Sequence, residues 1–455
     1  MPILPIDAGR YGTPEMKEIF EEERRLQRLL DVEAALAWAQ AQVGILPKED
    51  AEKIMKMASV KYVKLSRVKE IEEEIKHDLM AMVRALSEVC GSSGAYVHLG
   101  ATSSDILDTA TALQLKEAIK IIEGRLKLLE ETIMDLAIEH RNTVMLGRTH
   151  GQHALPITLG FKFAVWLREV SRHVKRLEEC SERVLVGKMS GAVGTQAGLG
   201  LNALKIQELV MDKLSLKPAD ISTQIVQRDN YAELICDLTN LASSLDKFAA
   251  EIRELQRPEI DELAEPFEME KQVGSSTMPQ KHNPILSERV CGLAKLIRGL
   301  VVPALENVPT WHERDLTQSS SERFIIPEAC ILVDYMISLT DQILRGLYVN
   351  KEKMWENLNL SQGRIMSEAV MLALARKGMP RQEAHGLIRK LALTSETRRQ
   401  PFKETLMENE KVMNLLSGKE IDDALKPESY LGTVQEQIDA VVRRTEKERR
   451  TRKRL

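Results

Sequence analysis

The chain contains 455 residues, of which 43% are apolar and 29% are charged, as in an ordinary folded protein with a sizeable core. A net charge of -4 and a pI near 6.2 argue against a general nucleic-acid binder or a membrane-surface binder. No apolar run approaches the roughly 18 residues that a membrane helix needs, and the first residues lack the pattern of a secretory signal.

The five cysteines are scattered and form no C-x-x-C pair, so neither a zinc site nor a disulfide framework is indicated. Reduced thiols are the simplest interpretation, and we expect a cytoplasmic protein. The last fifteen residues, 441–455, carry eight Arg or Lys against two Glu. A basic helix end explains them better than a nucleic-acid-binding arm.

Helical periodicity dominates the chain, and strand alternation is nearly absent. Thr13-Pro14 is a good helix start, because a capping hydroxyl precedes a proline at the first helical position. We expect this helix to run to about Val43, where Gly44 can end it. From residue 115, apolar residues repeat through three heptads, which is typical of a long bundle helix. They are Leu115, Ile119, Ile122, Leu126, Leu129, Ile133 and Leu136.

Further long helices are predicted at about 157–186, 222–257, 285–307 and 322–347. Shorter helical regions precede this part and follow it from about residue 350. The sequence therefore predicts an all-α fold with a central long-helix bundle, whose apolar seams favour self-association.

Glycine-rich polar connectors join the helices at 100–105, 147–153, 190–196 and 274–284, and such loops commonly carry the chemistry of a protein. Several histidines fall in or beside polar motifs, which raises a metal site as an alternative. However, His150-x-x-His153 has no carboxylate or thiol partner at a familiar zinc spacing, and neighbouring cations would repel a metal. We expect no metal, and neither a P-loop nor a dinucleotide fingerprint is indicated.

Residues 274–284 are the most informative stretch and read Gly-Ser-Ser-Thr-Met-Pro-Gln-Lys-His-Asn-Pro. Glycine frees the backbone and the two prolines prevent a helix. Spare N–H groups and Lys281 suit an anion, although an ordinary surface turn is the alternative. The order of residues closely resembles the mobile catalytic loop of the fumarase/aspartase superfamily, the lyases that release fumarate.

Further motifs between residue 10 and about residue 330 resemble the adenylosuccinate lyase branch of that superfamily. They comprise an opening segment, two substrate-binding motifs, a catalytic-histidine loop, a Thr-Gln pair before Gln-Arg-Asp, and a phosphate-binding region. In order they are Arg10-Tyr11-Gly-Thr-Pro-Glu-Met16, Lys76-His77-Asp78, Tyr96-Val-His98-x-Gly-x-Thr102-Ser103, Gly147-Arg-Thr-His150-Gly-Gln-His153, Thr223-Gln224 with Gln227-Arg228-Asp229, and Trp311-His-Glu-Arg314-Asp with Ser319-Ser-Ser-Glu-Arg323. Gln280 and His282 depart from the family's commoner residues.

The resemblance implies a three-domain chain divided at 1–98, 99–347 and 348–455. It also implies a homotetramer in which three subunits meet at each active site. The reaction would be β-elimination of fumarate from adenylosuccinate, giving AMP, and from SAICAR, giving AICAR. No cofactor is needed for this elimination.

The resemblance also implies the roles of individual residues. Ser275 would remove the Cβ proton, His150 would protonate the departing nitrogen, and Glu288 would orient that histidine. Lys281 is the nearby cation that favours a serine alkoxide, and His77 is placed with the catalytic group. The expected substrate-binding residues are Arg10, Tyr11, Lys76, His77, Asp78, Thr102, Ser103, Thr149, Gln224, Ser276, Lys281, His282, Asn283, Arg289, Arg314, Ser319 and Arg323.

Two alternatives stay open at this stage. A sister lyase, such as argininosuccinate lyase or carboxymuconate cycloisomerase, would share the 274–284 loop but have little use for a phosphate-binding arginine block. A non-catalytic helical structural protein would be expected to have lost the serine or the histidine, and Ser275 and His150 are both present.

Overall fold

The computed structural model describes residues 3–268 and 270–452. Across them it has nineteen α-helices and six short strands, so the predicted all-α class is confirmed. The N-terminal helices are α1 (Pro14–Phe20), α2 (Glu22–Gln42), α3 (Lys48–Met57), α4 (Leu65–Ile75) and α5 (Asp78–Cys90). The middle helices are α6 (Ser103–Glu139), α7 (Leu159–Val184), α8 (Ala203–Leu214), α9 (Asp229–Leu255), α10 (Ile285–Gly299), α11 (Val301–Glu306) and α12 (Thr317–Arg345).

The C-terminal part is made of shorter helices, and the strands pair two by two. The helices are α13 (Lys351–Asn359), α14 (Ser367–Arg376), α15 (Arg381–Arg398), α16 (Phe402–Met407), α17 (Glu410–Met413), α18 (Gly418–Ala424) and α19 (Val434–Arg452). The antiparallel pairs are β1 (Val144–Thr149) with β2 (Gln152–Thr158) and β5 (Leu263–Ala264) with β6 (Tyr348–Val349), and the parallel pair is β3 (Val186–Gly187) with β4 (Lys217–Pro218).

Two compact units divide the chain, and each is built from three segments. Unit 1 comprises Met1–Lys127, His173–Asp246 and Val290–Leu339. Unit 2 comprises Leu128–Arg172, Lys247–Arg289 and Thr340–Leu455. The three-domain division at residues 98/99 and 347/348 stays a prediction.

The heptad seam predicted on α6 is confirmed by burial. Leu115, Ile119, Ile122 and Leu126 are buried in unit 1, and Leu129 and Ile133 are buried in unit 2. Only the last member, Leu136, is half-buried. Regular apolar spacing along a helix therefore identified core positions correctly, because it keeps these side chains on one face.

The prediction of a single helix from Thr13 to Val43 was wrong at one residue. Thr13 caps α1 as expected, and Gly44, with φ +80°, follows the end of α2. At Glu21, however, the backbone is extended, with ψ 146°, and the helix is interrupted. Both helices bury apolar residues, so the periodicity continues across the break and conceals it. The segment predicted at 285–307 is likewise divided into α10 and α11.

The basic C-terminal helix is bound to acidic residues within unit 2. The Arg449 guanidinium contacts Glu131 at 2.8 Å, and Arg452 contacts Glu130 at 3.0 Å. Glu130 is fully buried and also accepts a hydrogen bond from the Ser171 hydroxyl at 2.6 Å. Residues 453–455 of the basic segment lie outside the described part. Among the residues described, no helix has the length and apolar character needed to span a bilayer.

We expect Arg452→Ala to lower the free energy of unfolding by about 3 kcal/mol, because removing one partner of a buried ion pair leaves the other charge uncompensated. Arg450→Ala, an exposed change on the same turn, is the matched control and is expected to have an effect within about 0.5 kcal/mol. Urea denaturation at one fixed protein concentration measures both variants. Equal stability of the two variants would contradict this account of Glu130.

Candidate active site

The 274–284 loop in unit 2 is closed by short hydrogen bonds at its base. The Asn283 side-chain amide donates to the Gly274 carbonyl at 2.8 Å. The Lys281 carbonyl approaches Gly274 so closely that a Cβ at this position would collide with it. Glycine is therefore required here for close approach of two backbone segments. The result is a compact loop on which Ser275 is half-buried and Lys281 is exposed.

Ser275 lies where backbone N–H groups converge. Its Oγ accepts hydrogen bonds from the N–H of Thr277 at 3.3 Å and of Met278 at 3.1 Å. N–H donors directed at an oxygen stabilise negative charge on it. The loop therefore supplies the kind of donors that a serine alkoxide needs.

Buried Glu265 fixes the junction between this loop and α10. Its carboxylate accepts the N–H groups of Leu286 at 2.9 Å and of Ser287 at 2.8 Å. It also accepts the Ser287 hydroxyl at 2.9 Å, and only 3% of the residue is exposed. A carboxylate at a helix N-terminus satisfies N–H groups that have no partner within the helix. The start of α10, which carries Glu288 and Arg289, is thereby held in place.

His150 lies at the tip of the β1–β2 hairpin. Thr149 pairs with Gln152, so the turn consists of His150, with φ +54°, and Gly151, with φ +71°. Positive φ at both central residues is the geometry of a type I′ hairpin turn. Thr149 and His150 are both exposed. This connector was expected to be a loop between helices, and the hairpin was missed because Val144–Leu146 do not alternate apolar and polar side chains.

The hairpin is anchored by a buried ion pair within unit 2. Arg148 forms two hydrogen bonds with Glu262, at 2.9 and 2.7 Å, and Glu262 is fully buried. Asn357 donates to the same carboxylate at 2.9 Å. Arg148 therefore carries the hairpin on a rigid base while the imidazole at the tip faces outward.

The structure brings five of the expected substrate-binding residues together at one place in unit 1. Arg314, Ser319 and Arg323 line a cavity of about 140 Å³. Gln224 accepts a hydrogen bond from Arg314 at 3.0 Å, and Asp78 accepts one from Arg323 at 2.5 Å. Burial favours a higher pKa for Asp78, but Arg323 and the Leu79 N–H outweigh it, so the pKa is lowered and Asp78 stays ionised.

Lys76 and His77 immediately precede Asp78 and are both exposed. Lys76 ends α4 with φ +56°, and His77 caps α5. The His77 Nδ1 accepts the Met80 N–H at 3.3 Å. The neutral ring then carries its proton on Nε2 and can donate it to an anion.

One of the arginines that line the cavity is fully paired. Arg228 contacts Asp108 through both terminal nitrogens, at 2.9 and 3.0 Å, and Glu322 at 2.7 Å. Burial opposes the charge on Arg228, but Asp108 keeps the pKa of this guanidinium well above its usual value. Burial raises the pKa of Glu322, and Arg228 offsets only part of that rise. Since Glu322 precedes Arg323 on α12, this arrangement fixes the helix face that carries Ser319 and Arg323.

A second buried ion pair fixes the loop before α6. Asp105 and Lys188 are both completely buried and lie 2.5 Å apart. The Asp105 carboxylate also accepts the N–H groups of Thr102 and Ser190, each at 2.8 Å. Thr102 and Ser103 are therefore held where α6 begins, next to cavity-lining Ser104.

His98 is bound to a buried glutamate on α2. The Glu33 carboxylate contacts the His98 Nδ1 at 2.7 Å and accepts its backbone N–H at 3.2 Å. Burial alone would lower the pKa of His98, but the hydrogen bond and charge of Glu33 outweigh it, so the pKa is raised. The pair positions the ring in the Tyr96–Ser103 motif.

The remaining expected residues are located as follows. Arg10 is exposed and lies against the Tyr11 ring, 5.9 Å from its centroid, and Tyr11 packs on Tyr335 of α12. Ser276 is exposed, and the His282 ring stacks on Phe267 with centroids 4.2 Å apart. Within one chain, as far as the structure describes it, no hydrogen bond or ion pair joins His150 to Glu288. The orienting role of Glu288 therefore stays a prediction.

One cluster of metal-type ligands occurs among the described residues, and it contains none of the expected site residues. Ligand atoms of Cys180, Glu233 and Asp237 lie within 4.8 Å of one another. However, Glu233 is already paired with Arg183. Burial, followed by the charges of Glu233 and Asp237, raises the pKa of the Cys180 thiol to about 12. A neutral thiol beside a carboxylate that already forms an ion pair does not favour metal binding.

Comparison with known proteins gives consistent matches along the chain. A family model described as lyase matches residues 9–299, and a model described as adenylosuccinate lyase C-terminus matches residues 363–441. The chain is 54% identical to adenylosuccinate lyase of Pyrococcus abyssi (strain GE5 / Orsay), over 97% of this chain and 98% of that protein. The chain belongs to the adenylosuccinate lyase family.

Solved structures of related enzymes share the fold of this adenylosuccinate lyase family member. Fumarate lyase from Mesorhizobium sp. BNC1 is similar with a TM-score of 0.89 and 33% identity, covering 97% of this chain and 99% of that one. The 3-carboxy-cis,cis-muconate lactonizing enzyme from Pseudomonas putida has a TM-score of 0.89 and 32% identity, covering 98% and 99%. The predicted superfamily architecture is therefore confirmed.

Charged residues that no sequence motif identifies support this family's motifs from within the core. Glu33, Asp108 and Glu265 carry no motif of their own, yet each is at most 4% exposed. A weak signal was available for Glu33, since it falls between Val32 and Ala34 on an apolar stretch of helix. A buried charge needs a partner, which makes such positions candidates for supporting a site.

We expect Glu33→Gln to destabilise the protein by about 1–3 kcal/mol at low pH, because it removes a charged hydrogen-bond partner from a largely buried imidazole. Since the pKa of His98 is raised, this stabilisation is complete below the unfolded-state pKa and declines as pH rises through the folded-state pKa. The loss should therefore be larger at pH 5.5 than at pH 8.5.

Denaturant unfolding at both pH values provides the measurement, and Glu22→Gln on the same helix is the control. Glu22 is exposed and forms a surface ion pair with Lys69. A pH-independent loss for Glu33→Gln would show that the pair does not titrate as described.

Proposed function

We propose that the protein is a C–N lyase of purine nucleotide synthesis that releases fumarate from adenylosuccinate, giving AMP, and from SAICAR, giving AICAR. One observation supports this chemistry above all: Ser275 Oγ accepts hydrogen bonds from two backbone N–H groups on an otherwise exposed loop. An isolated serine is a very poor base at neutral pH, so the loop's donors are what make this role possible.

The elimination then follows in two proton transfers. The Ser275 alkoxide, stabilised by the Thr277 and Met278 N–H groups and by the Lys281 charge, takes the proton from the succinyl Cβ. The electron pair left on Cβ forms an enolate-like dianion with the neighbouring carboxylate. It then forms the C=C bond of fumarate as the C–N bond breaks. His150 donates its proton to the departing nitrogen, and the pKa of histidine suits that exchange near neutral pH.

The residues that line the unit 1 cavity support the proposal that the substrate carries a phosphate. Arg314 and Arg323 present guanidinium groups, which match phosphate oxygens with paired N–H donors, and Ser319 adds a hydroxyl. His77 Nε2, Thr102, Ser103 and Gln224 are neutral partners for the remaining polar groups of the substrate. In the loop, Ser276, Lys281, His282 and Asn283 are proposed to bind the succinyl carboxylates together with Arg289, while Arg10 and Tyr11 close the site.

A homotetramer with shared active sites completes the proposal. His150 is exposed at a hairpin tip and Glu288 is exposed on α10, as residues that act on a site shared with another subunit would be. Large apolar side chains near the start of α12 and on α10 and α11 are also exposed and suit subunit contacts: Leu296, Val302, Leu305 and Phe324. The five cysteines are free thiols, as a reducing cytoplasm allows.

We expect the purified protein to release fumarate from adenylosuccinate and not from argininosuccinate, because only the former has a phosphate for the arginine-lined cavity. Fumarate absorbance, with each substrate offered separately, provides the measurement. Release from argininosuccinate alone would keep the Ser275 chemistry but overturn the phosphate site. Release from neither would overturn the proposed function.

We expect Ser275→Ala and His150→Ala each to lower kcat by several orders of magnitude, since each removes a group that moves a proton. Circular dichroism and the denaturation midpoint should stay unchanged, because both residues lie at solvent-accessible loop positions. Near-normal turnover by either variant would refute that residue's role.

Mixing the two inactive variants tests the shared site. Subunit exchange is expected to restore part of the activity, because some sites then receive both wild-type residues from different chains. Absence of recovery, with exchange demonstrated by differently tagged chains, would argue for sites within one subunit.

A further inference from the structure

The unit 1 cavity contains an arginine that none of the motifs includes. Arg25, in the first turn of α2, lines the cavity together with Arg228, Arg314 and Arg323. Four guanidinium groups around one small cavity require compensation, because partly buried like charges repel one another. Their partners therefore decide what the cavity can hold.

Two of these arginines are compensated by protein carboxylates. Arg228 is bound by both Asp108 and Glu322, as described above. Arg323 is bound by Asp78. Their charges are therefore already balanced in the absence of any ligand.

The other two arginines have hydrogen-bonding capacity to spare. Arg314 donates from Nη1 to the neutral Gln224 amide, and its buried Nε has no hydrogen-bond partner. For Arg25, no side-chain hydrogen bond or ion pair is formed with any residue in the described part of the chain. Burial lowers the pKa of the Arg25 guanidinium, and the positive charge of Arg323 lowers it further, with Asp78 offsetting only part. The protein therefore holds Arg25 in an unfavourable environment.

Neighbouring arginines on the same helix make the contrast clear. Arg24 contacts Glu117 at 2.9 Å, and Arg28 contacts Glu117 and also Asp31 at 2.7 Å. Arg24 and Arg28 are thus paired and are not among the cavity-lining residues, whereas Arg25 lines the cavity and has no ion-pair partner among the described residues. An anion that enters the cavity would supply the missing partner for both Arg25 and Arg314.

We propose that Arg25 binds the phosphate monoester of the substrate together with Arg314 and Arg323, and so selects phosphorylated substrates. The inference rests on the proposed function and deepens it by adding a specificity residue. A phosphate dianion offers enough oxygen lone pairs to accept hydrogen bonds from several guanidinium groups at once. A phosphate bound in this way neutralises the charges of Arg25 and Arg314, which no ion pair within the described residues balances.

The test compares Arg25→Gln with Arg24→Gln, which removes the same charge one residue earlier, from an arginine that is paired. Titration calorimetry with AMP and with inorganic phosphate measures binding without turnover. We expect Arg25→Gln to weaken AMP binding by about 10- to 100-fold, the range for losing hydrogen bonds to a charged group. Arg24→Gln should bind AMP like the wild type, and Arg25→Lys should fall between.

Kinetics with two substrates then separate phosphate recognition from a general defect. For adenylosuccinate, Arg25→Gln should raise KM with little change in kcat, because the phosphate is bound equally in ground state and transition state. For the dephosphorylated compound, succinyladenosine, the variant and the wild type should have the same kcat/KM. Equal losses with both substrates, or AMP affinity that does not fall, would overturn the proposal.

The binding measurements also show whether the role of Arg25 or the proposed function has failed. If the wild-type protein released no fumarate but Arg25→Gln still lost phosphate affinity, the reaction would be wrong and the anion site would stand. If fumarate were released normally and phosphate affinity were unchanged, the reaction would stand and the role of Arg25 would fall. Denaturation midpoints equal to that of Arg24→Gln exclude misfolding as the cause of either result.

Discussion

The ion pair between Asp105 and Lys188 is the interaction on which the proposed substrate-binding side of unit 1 depends. Both side chains are completely buried, so each has lost its hydration. This cost is acceptable only because the carboxylate also accepts backbone N–H groups from Thr102, Ser190 and Gly191. One charged centre thereby joins two polar connectors that are far apart in the chain, and it fixes the start of α6.

Buried charged residues likewise support three other segments with proposed roles. Buried Glu262 holds the His150 hairpin through Arg148, and buried Glu265 holds the start of α10 after the serine loop. In unit 1, Arg228 holds the Arg323 face of α12 through Glu322. Chemistry requires exposed side chains, whereas precision requires rigid supports. Separating the two lets loops such as 274–284 carry Ser275 without losing their geometry.

The cavity in unit 1 differs from these supports because some of its positive charges have no ion-pair partner among the described residues. Arg228 forms ion pairs with two carboxylates, while Arg25 and Arg314 form none with any carboxylate in the described chain. A cavity that satisfied every cation internally would gain stability but would have nothing left for an anion. A purely structural role would not explain the unfavourable environment of Arg25, whereas the binding of an anion would. Together with membership in the adenylosuccinate lyase family, this supports the proposal that the cavity binds a phosphate.

The sequence by itself determined the helical fold, the α6 seam, the cap at Thr13 and the family to which the chain belongs, because these are local patterns or ordered motifs. It could not locate the break at Glu21, since apolar periodicity continues through it. It could not reveal the hairpin under His150, whose strands do not alternate. Only the tertiary structure decided which charges are buried and which partner each one has. Glu33 and His98 are 65 residues apart, and a charged residue on a helix resembles a solvated one until its neighbours are known. Paired Arg24 and unpaired Arg25 differ for the same reason.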